Sequence, residues 1–192
     1  VYDTLTTYPH LIRAFDAALL FYDRQTAEHA SRVSQASRRV GRALALGEDE
    51  LEALTWAGLL HDLGKLCVPE EMLRRPGPLT ADEWALMKRH PTVGAEMILS
   101  VSERLEPIAA GIRSHHECWD GSGYPSGLGG EAIPLVGRII TVADVFDSMT
   151  SPRAYRRRKW SEADVIGHLQ ATQPLHFDPT IVSVFVELRG RA

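Results

Sequence analysis

The sequence predicts an all-α domain interrupted by one long irregular loop, and three observations predict it. Apolar and small residues recur at a three-to-four spacing in most apolar segments. No stretch of useful length alternates apolar and polar residues as a half-buried strand would. Hydrophobic residues make up 44% of the chain but aromatics only 7%, so the core must come from Ala, Leu, Val and Ile, which suits packed helices.

Each element follows from local signals. Residues 10–22 read as an apolar helix. Residues 26–46 carry Ala30, Val33, Ser37, Val40 and Leu44 at helical spacing, with Gly47 as the expected stop. Residues 49–62 place Leu51, Leu54, Gly58 and His61 on one stripe. Gly64 then breaks the pattern, and Pro69, Pro76, Gly77 and Pro78 mark a loop. Thr80-Ala81-Asp82-Glu83 is a capping box, and the helix it opens is expected to run to about His90 and close at Pro91. Two more helices are expected at 92–100 and 104–116. Residues 117–137 hold six glycines and two prolines and read as one irregular loop. Helix returns at 138–149, again from Ser161, and at 178–188.

No repeat or linker divides the chain, so 1–192 reads as a single domain. It begins at Val1, and 1–22 is expected to lead from a regulatory domain outside this chain. The net charge of -4 gives no bulk attraction for DNA or an anionic membrane, so an anionic ligand must be met locally, by metals or a small Arg cluster. Cys67 and Cys118 form no CxxC pair, and a reducing, cytoplasmic compartment is expected. No apolar run reaches membrane-spanning length.

Eight histidines are present, and five keep unusual company. His61-Asp62 ends a strongly apolar helix, where a carboxylate beside an imidazole is costly unless something satisfies both. A divalent metal would do so; a backbone hydrogen bond is the plainer alternative. Lys65 lies one turn on, in reach of a substrate phosphate if it is not simply a surface lysine. His115-His116 diverge on a helix but can turn to one ion at its end. His29 lies on an apolar helix face, and His90 precedes Pro91. Asp144 sits in an otherwise apolar helix with Asp147 one turn away, and Arg138 is its plain candidate partner. Each residue alone is more often a packed or hydrogen-bonded group than a ligand. Together, five His and two Asp on helix ends and buried faces suit a two-metal site in a bundle core. Imidazole and carboxylate without thiolate suit Fe, Mn or Zn.

His61-Asp62-Leu63-Gly64-Lys65, then His115-His116-Glu117, then Asp120-Gly121-Ser122-Gly123-Tyr124-Pro125, strongly resembles the HD-GYP family, a branch of the HD-domain metal-dependent phosphohydrolases. The resemblance runs from about His29 to Arg156. It implies an HD-domain helical bundle that hydrolyses cyclic di-GMP to pGpG or onward to GMP with two divalent ions, Fe or Mn first and Zn as an alternative. It implies His29, His61, Asp62 and Asp144 on one ion, and Asp62, His90, His115 and His116 on the other. It assigns Lys65 to the scissile phosphate, and Gly123, Tyr124 and Pro125 to the pocket and to a protein partner. Asp120 is expected to brace that loop, Asp147 to be a supporting residue of the site, and Arg153 and Arg156 to grip the dinucleotide phosphates.

Two departures from the family pattern matter. Gln25 stands where some members carry a Glu that helps hold a third metal, which argues for two ions and for pGpG as the main product. Cys118 replaces a larger polar residue and is read as packing. A phosphohydrolase for another nucleotide, and a non-catalytic dinucleotide sensor or scaffold, are the rival readings.

Overall fold

The structure, a computed structural model, describes residues 24–151 and 160–190, with Ala14, Phe15, Ala17 and Ala18 before them. Most of the expected 10–22 helix, the Gln25 side chain, Arg153 and Arg156 lie outside the described residues. Among the described residues the chain is helical and has no strand, only an isolated bridge between Asp120 and Gly129. The longer helices are α1 (Arg24–Ala43), α2 (Glu48–Leu60), α5 (His90–Leu99), α6 (Glu106–Ser114), α7 (Leu135–Thr150), α8 (Glu162–Thr172) and α9 (Pro179–Gly190). Two short ones, α3 (Glu70–Arg74) and α4 (Ala81–Met87), lie between α2 and α5.

α7 is the central strut, packing on α1, α2, α6, α8 and α9. Its Ile139, Ile140 and Val142 are fully buried and meet Val33 of α1, Leu54 and Leu60 of α2, and Ile112 of α6 in one core. This is the small-aliphatic core that the scarcity of aromatics demands. Truncating such a residue to Ala typically costs about 2–5 kcal/mol of stability.

Several boundaries differ from the sequence reading. α1 stops before Gly47 because Ala45 takes the left-handed turn, with φ of 57°. Leu46 N–H donates to the Gly41 carbonyl and Ala45 N–H to the Arg42 carbonyl, the paired bonds of a Schellman cap. Gly47 instead caps the start of α2. Pro91 opens α5 rather than closing the helix before it, because a missing N–H costs nothing in a first turn. The loop at 69–78 contains α3. The long loop ends at Pro134, since Leu135 already begins α7. The capping boxes at Thr80 and Ser161 are both formed.

Gly64 does more than break a pattern. It lies in the 3-10 turn Leu63–Cys67, where an added Cβ would fall 2.0 Å from the His90 carbonyl oxygen. Its bare backbone lets the turn carrying Asp62 and Lys65 press against the start of α5.

Candidate metal centre

Three of the five histidines are held by the same device. A helix leaves its last carbonyls without intrahelical partners. His61 ends α2 and lies 2.8 Å through Nδ1 from the Gly58 carbonyl. His115 ends α6 and lies 2.6 Å from the Ile112 carbonyl. His90 lies 2.8 Å from the carbonyl of Met87, the last residue of α4. A carbonyl only accepts, so each Nδ1 carries the proton and each Nε2 presents a lone pair inward. The helix-end carbonyl sets the tautomer in each case, and the surrounding bundle supplies the burial.

His29 is held differently. Its Nδ1 donates to Asp147 Oδ2 at 2.6 Å, and its Nε2 lies 3.0 Å from Asp144 Oδ1. Arg32, one turn along α1, clamps Asp147 through Nε at 2.6 Å and a terminal nitrogen at 3.0 Å. Asp147 therefore supports His29 directly, and Arg138 pairs with Asp178 at 2.7 Å instead of with Asp144. Arg138 and Asp144 are six residues apart on α7 and so do not share a face, which leaves the plain alternative partner for Asp144 unused.

The donors fall into two groups, His29 with His61 and Asp144, and His90 with His115 and His116. Within each group the donor atoms lie within 4.8 Å of one another. Asp62 stands between the groups. One of its oxygens is 3.5 Å from His61 Nε2 and the other 3.4 Å from His90 Nε2. Lys65 Nζ donates to Asp62 Oδ2 at 2.6 Å. The fold thus brings His29, His61 and Asp144 together and His90, His115 and His116 together, with Asp62 between the two groups.

The protonation states suit metal binding. Burial lowers the pKa of His61 and His115, and takes His90 and His116 down to about 4, so all four imidazoles are neutral near pH 7. Burial opposes ionisation of Asp62, but the Lys65 ammonium beside it holds it well below the usual carboxylate range. Asp144 is buried too, and the His29 hydrogen bond keeps it ionised. Burial also pulls on His29, but hydrogen bonds to Asp144 and Asp147 outweigh it and raise the pKa to about 9.

Two observations show that divalent ions fit here. His61 Nε2 is buried with no hydrogen-bond partner. His90 Nε2 and His115 Nε2 face each other at 3.3 Å, both with lone pairs once their Nδ1 protons are committed. Opposed lone pairs repel unless a cation joins them. Nitrogen and oxygen donors without sulfur suit Fe, Mn or Zn.

The long loop completes the second group. His116 has no side-chain hydrogen bond among the described residues; the Tyr124 ring stacks on it at 4.8 Å and 24°. Tyr124 N–H also donates to the His116 carbonyl. Gly123 permits this fold-back, because an added Cβ would lie 2.3 Å from Cys118 N. Asp120 braces the loop locally, accepting from Ser122 N and Oγ at 2.9 and 2.6 Å. The longer-range tie is Glu117, which the sequence reading names but gives no role. Buried to 2% exposure, it accepts from Ser126 N and Leu128 N at 2.7 and 3.1 Å. Pro125 lies on the exposed side of the loop. Arg32 is a further site residue, and its i, i+3 spacing from His29 is the signal for it in the sequence.

With this geometry in place, the comparisons with known proteins are specific. The HD domain family model matches residues 16–181, and the chain belongs to that family. The chain is 42% identical over 176 residues to the cyclic di-GMP phosphodiesterase response regulator RpfG of Xanthomonas campestris, covering 91% of this chain and 46% of that protein. It is 37% identical to the 3'3'-cGAMP-specific phosphodiesterase 2 of Vibrio cholerae, covering 96% of this chain and 35% of that one. A solved cyclic GMP-AMP-specific phosphodiesterase from V. cholerae (V-cGAP3) superposes with a TM-score of 0.72 at 25% identity, covering 94% of this chain and 48% of that one. The chain therefore spans less than half the length of these relatives. No described helix is long and apolar enough to cross a membrane.

Proposed function

We propose that the chain is a metal-dependent phosphodiesterase that opens cyclic di-GMP to pGpG. The observation that carries this reading is Asp62, whose two oxygens face two separate sets of inward donors. Its support from comparison is the set of relatives named for cyclic di-GMP hydrolysis.

In this reading His29, His61, Asp62 and Asp144 hold one divalent ion, and Asp62, His90, His115 and His116 the other. Fe or Mn is the first expectation and Zn the second. When bound, the ions supply Lewis-acid charge at phosphorus and a water-derived nucleophile near neutral pH. The chain's own residues do the rest. The carbonyls of Gly58, Met87 and Ile112 keep three imidazoles in the binding tautomer. Lys65 keeps Asp62 ionised and offers an ammonium to the phosphoryl oxygens as their charge grows. Water adds at one phosphorus, the bond from that phosphorus to the 3' oxygen breaks, and the 3' oxygen takes up a proton. Gln25 is the basis for two ions rather than three, and Arg153 and Arg156 are proposed to hold the second phosphate. A protein partner at the Tyr124 loop, a regulatory domain outside this chain and a cytoplasmic location belong to the same proposal.

A second reading has a specific observation behind it. The relative of 37% identity named as specific for 3'3'-cGAMP aligns with 96% of this chain, so that dinucleotide is the alternative substrate. The test is product analysis with each cyclic dinucleotide, using metal-loaded wild type and Asp62→Ala. The wild type should yield the linear dinucleotide and the variant no product. Equal turnover by the variant would end the proposal.

A further inference from the structure

We infer that Trp84 is a stacking platform for one purine base of the cyclic dinucleotide. This rests on the function proposed above and adds a substrate contact to it. The starting observation is an apolar ring left in water. Helix α4 buries none of its residues, and Trp84 at its centre is 47% exposed. It is not a core anchor.

Its place is set by the centre itself. α4 ends at Met87, whose carbonyl fixes His90. Trp84 lies three residues earlier, one turn back on the same side of the helix. Its ring meets Tyr124 edge-on at 6.1 Å and 75°, and Tyr124 stacks in turn on His116. A chain of three rings thus runs from a candidate ligand to the surface. One face of Tyr124 is taken by His116. Trp84 carries the exposed aromatic surface at the outer end.

The substrate chemistry calls for such a surface. Ions and Lys65 recognise phosphate but are blind to a base. A base docks on an aromatic face, and this recognition tolerates either purine because every base has a π-face. That tolerance agrees with relatives named for a guanine-only and a mixed guanine–adenine dinucleotide.

The experiment is steady-state kinetics on metal-loaded wild type, Trp84→Leu and Trp84→Phe. It measures KM for cyclic di-GMP and for 3'3'-cGAMP, and the inhibition constant of inorganic phosphate as a base-free probe. For Trp84→Leu, KM should rise about tenfold for both dinucleotides relative to any change in the phosphate constant. Trp84→Phe should recover most of that loss, because it restores a ring. A KM for Trp84→Leu within about twofold of wild type overturns the inference, as does an equal shift in KM and the phosphate constant. Those results would leave the ring to packing or to a macromolecular partner. If the wild type turns over neither dinucleotide, the proposed function fails first and this inference falls with it.

Discussion

The two halves of the centre are built from different chemistry. Around His29 the groups are charged, with Asp144 and Asp147 on either side of the ring and Arg32 behind them. Around His90, His115 and His116 the donors are imidazoles whose pKa values burial lowers. In the first half a proton on His29 can stand in for an ion, bridging the two carboxylates. In the second half burial keeps the imidazoles neutral, and the lone pairs of His90 and His115 face each other at 3.3 Å. One half is set by ion pairs between helices, while the other, in the proposed function, would depend on a bound cation and on a loop stacked over His116.

Asp147→Asn removes the carboxylate behind His29, and should weaken one ion about 10–100-fold while sparing the other. Metal titration by calorimetry would resolve the two classes of site, and equal weakening of both would count against separate halves.

Acidity should also discriminate. With a pKa of about 9, ion-free His29 is protonated at neutral pH, so an ion entering that half must displace the proton. Affinity there should fall about tenfold for each unit that pH drops below 9, with about one proton released per ion bound. The imidazole half, with His90 and His116 near 4, should show little dependence between pH 6 and 9. Identical pH profiles for the two ions would contradict this.

The smallest expected effect is on the loop. Tyr124→Leu removes the ring stacked on His116 and should weaken the imidazole-half ion roughly two- to tenfold, the scale of an aromatic contact. Tyr124→Phe should retain it. A loss confined to the His29 half would reverse the assignment.

Much of this was legible in the sequence, for a physical reason. His61-Asp62 at an apolar helix end and Asp144 in an apolar helix are costly placements, and the cost itself points to a ligand. The order of motifs then supplied the grouping. Helix ends were less legible. Pro91 reads as a stop in one context and as a first-turn residue in another, and Ala45 carries no composition signal for a left-handed turn. The Arg138–Asp178 pair is not legible either, because spacing along α7 does not say which distant residue Arg138 will meet. Glu117 and Trp84 escaped because their roles lie across space: one ties residues nine and eleven positions on, and the other meets a ring forty positions away.

The central claim is that Asp62 joins two ion sites. The most direct measurement is metal content by elemental analysis of anaerobically prepared wild type and Asp62→Ala, with circular dichroism to confirm that both are folded. Two ions per wild-type chain are expected, with loss of both from the variant. A folded wild type that binds no ion, or a variant that keeps two, would contradict it.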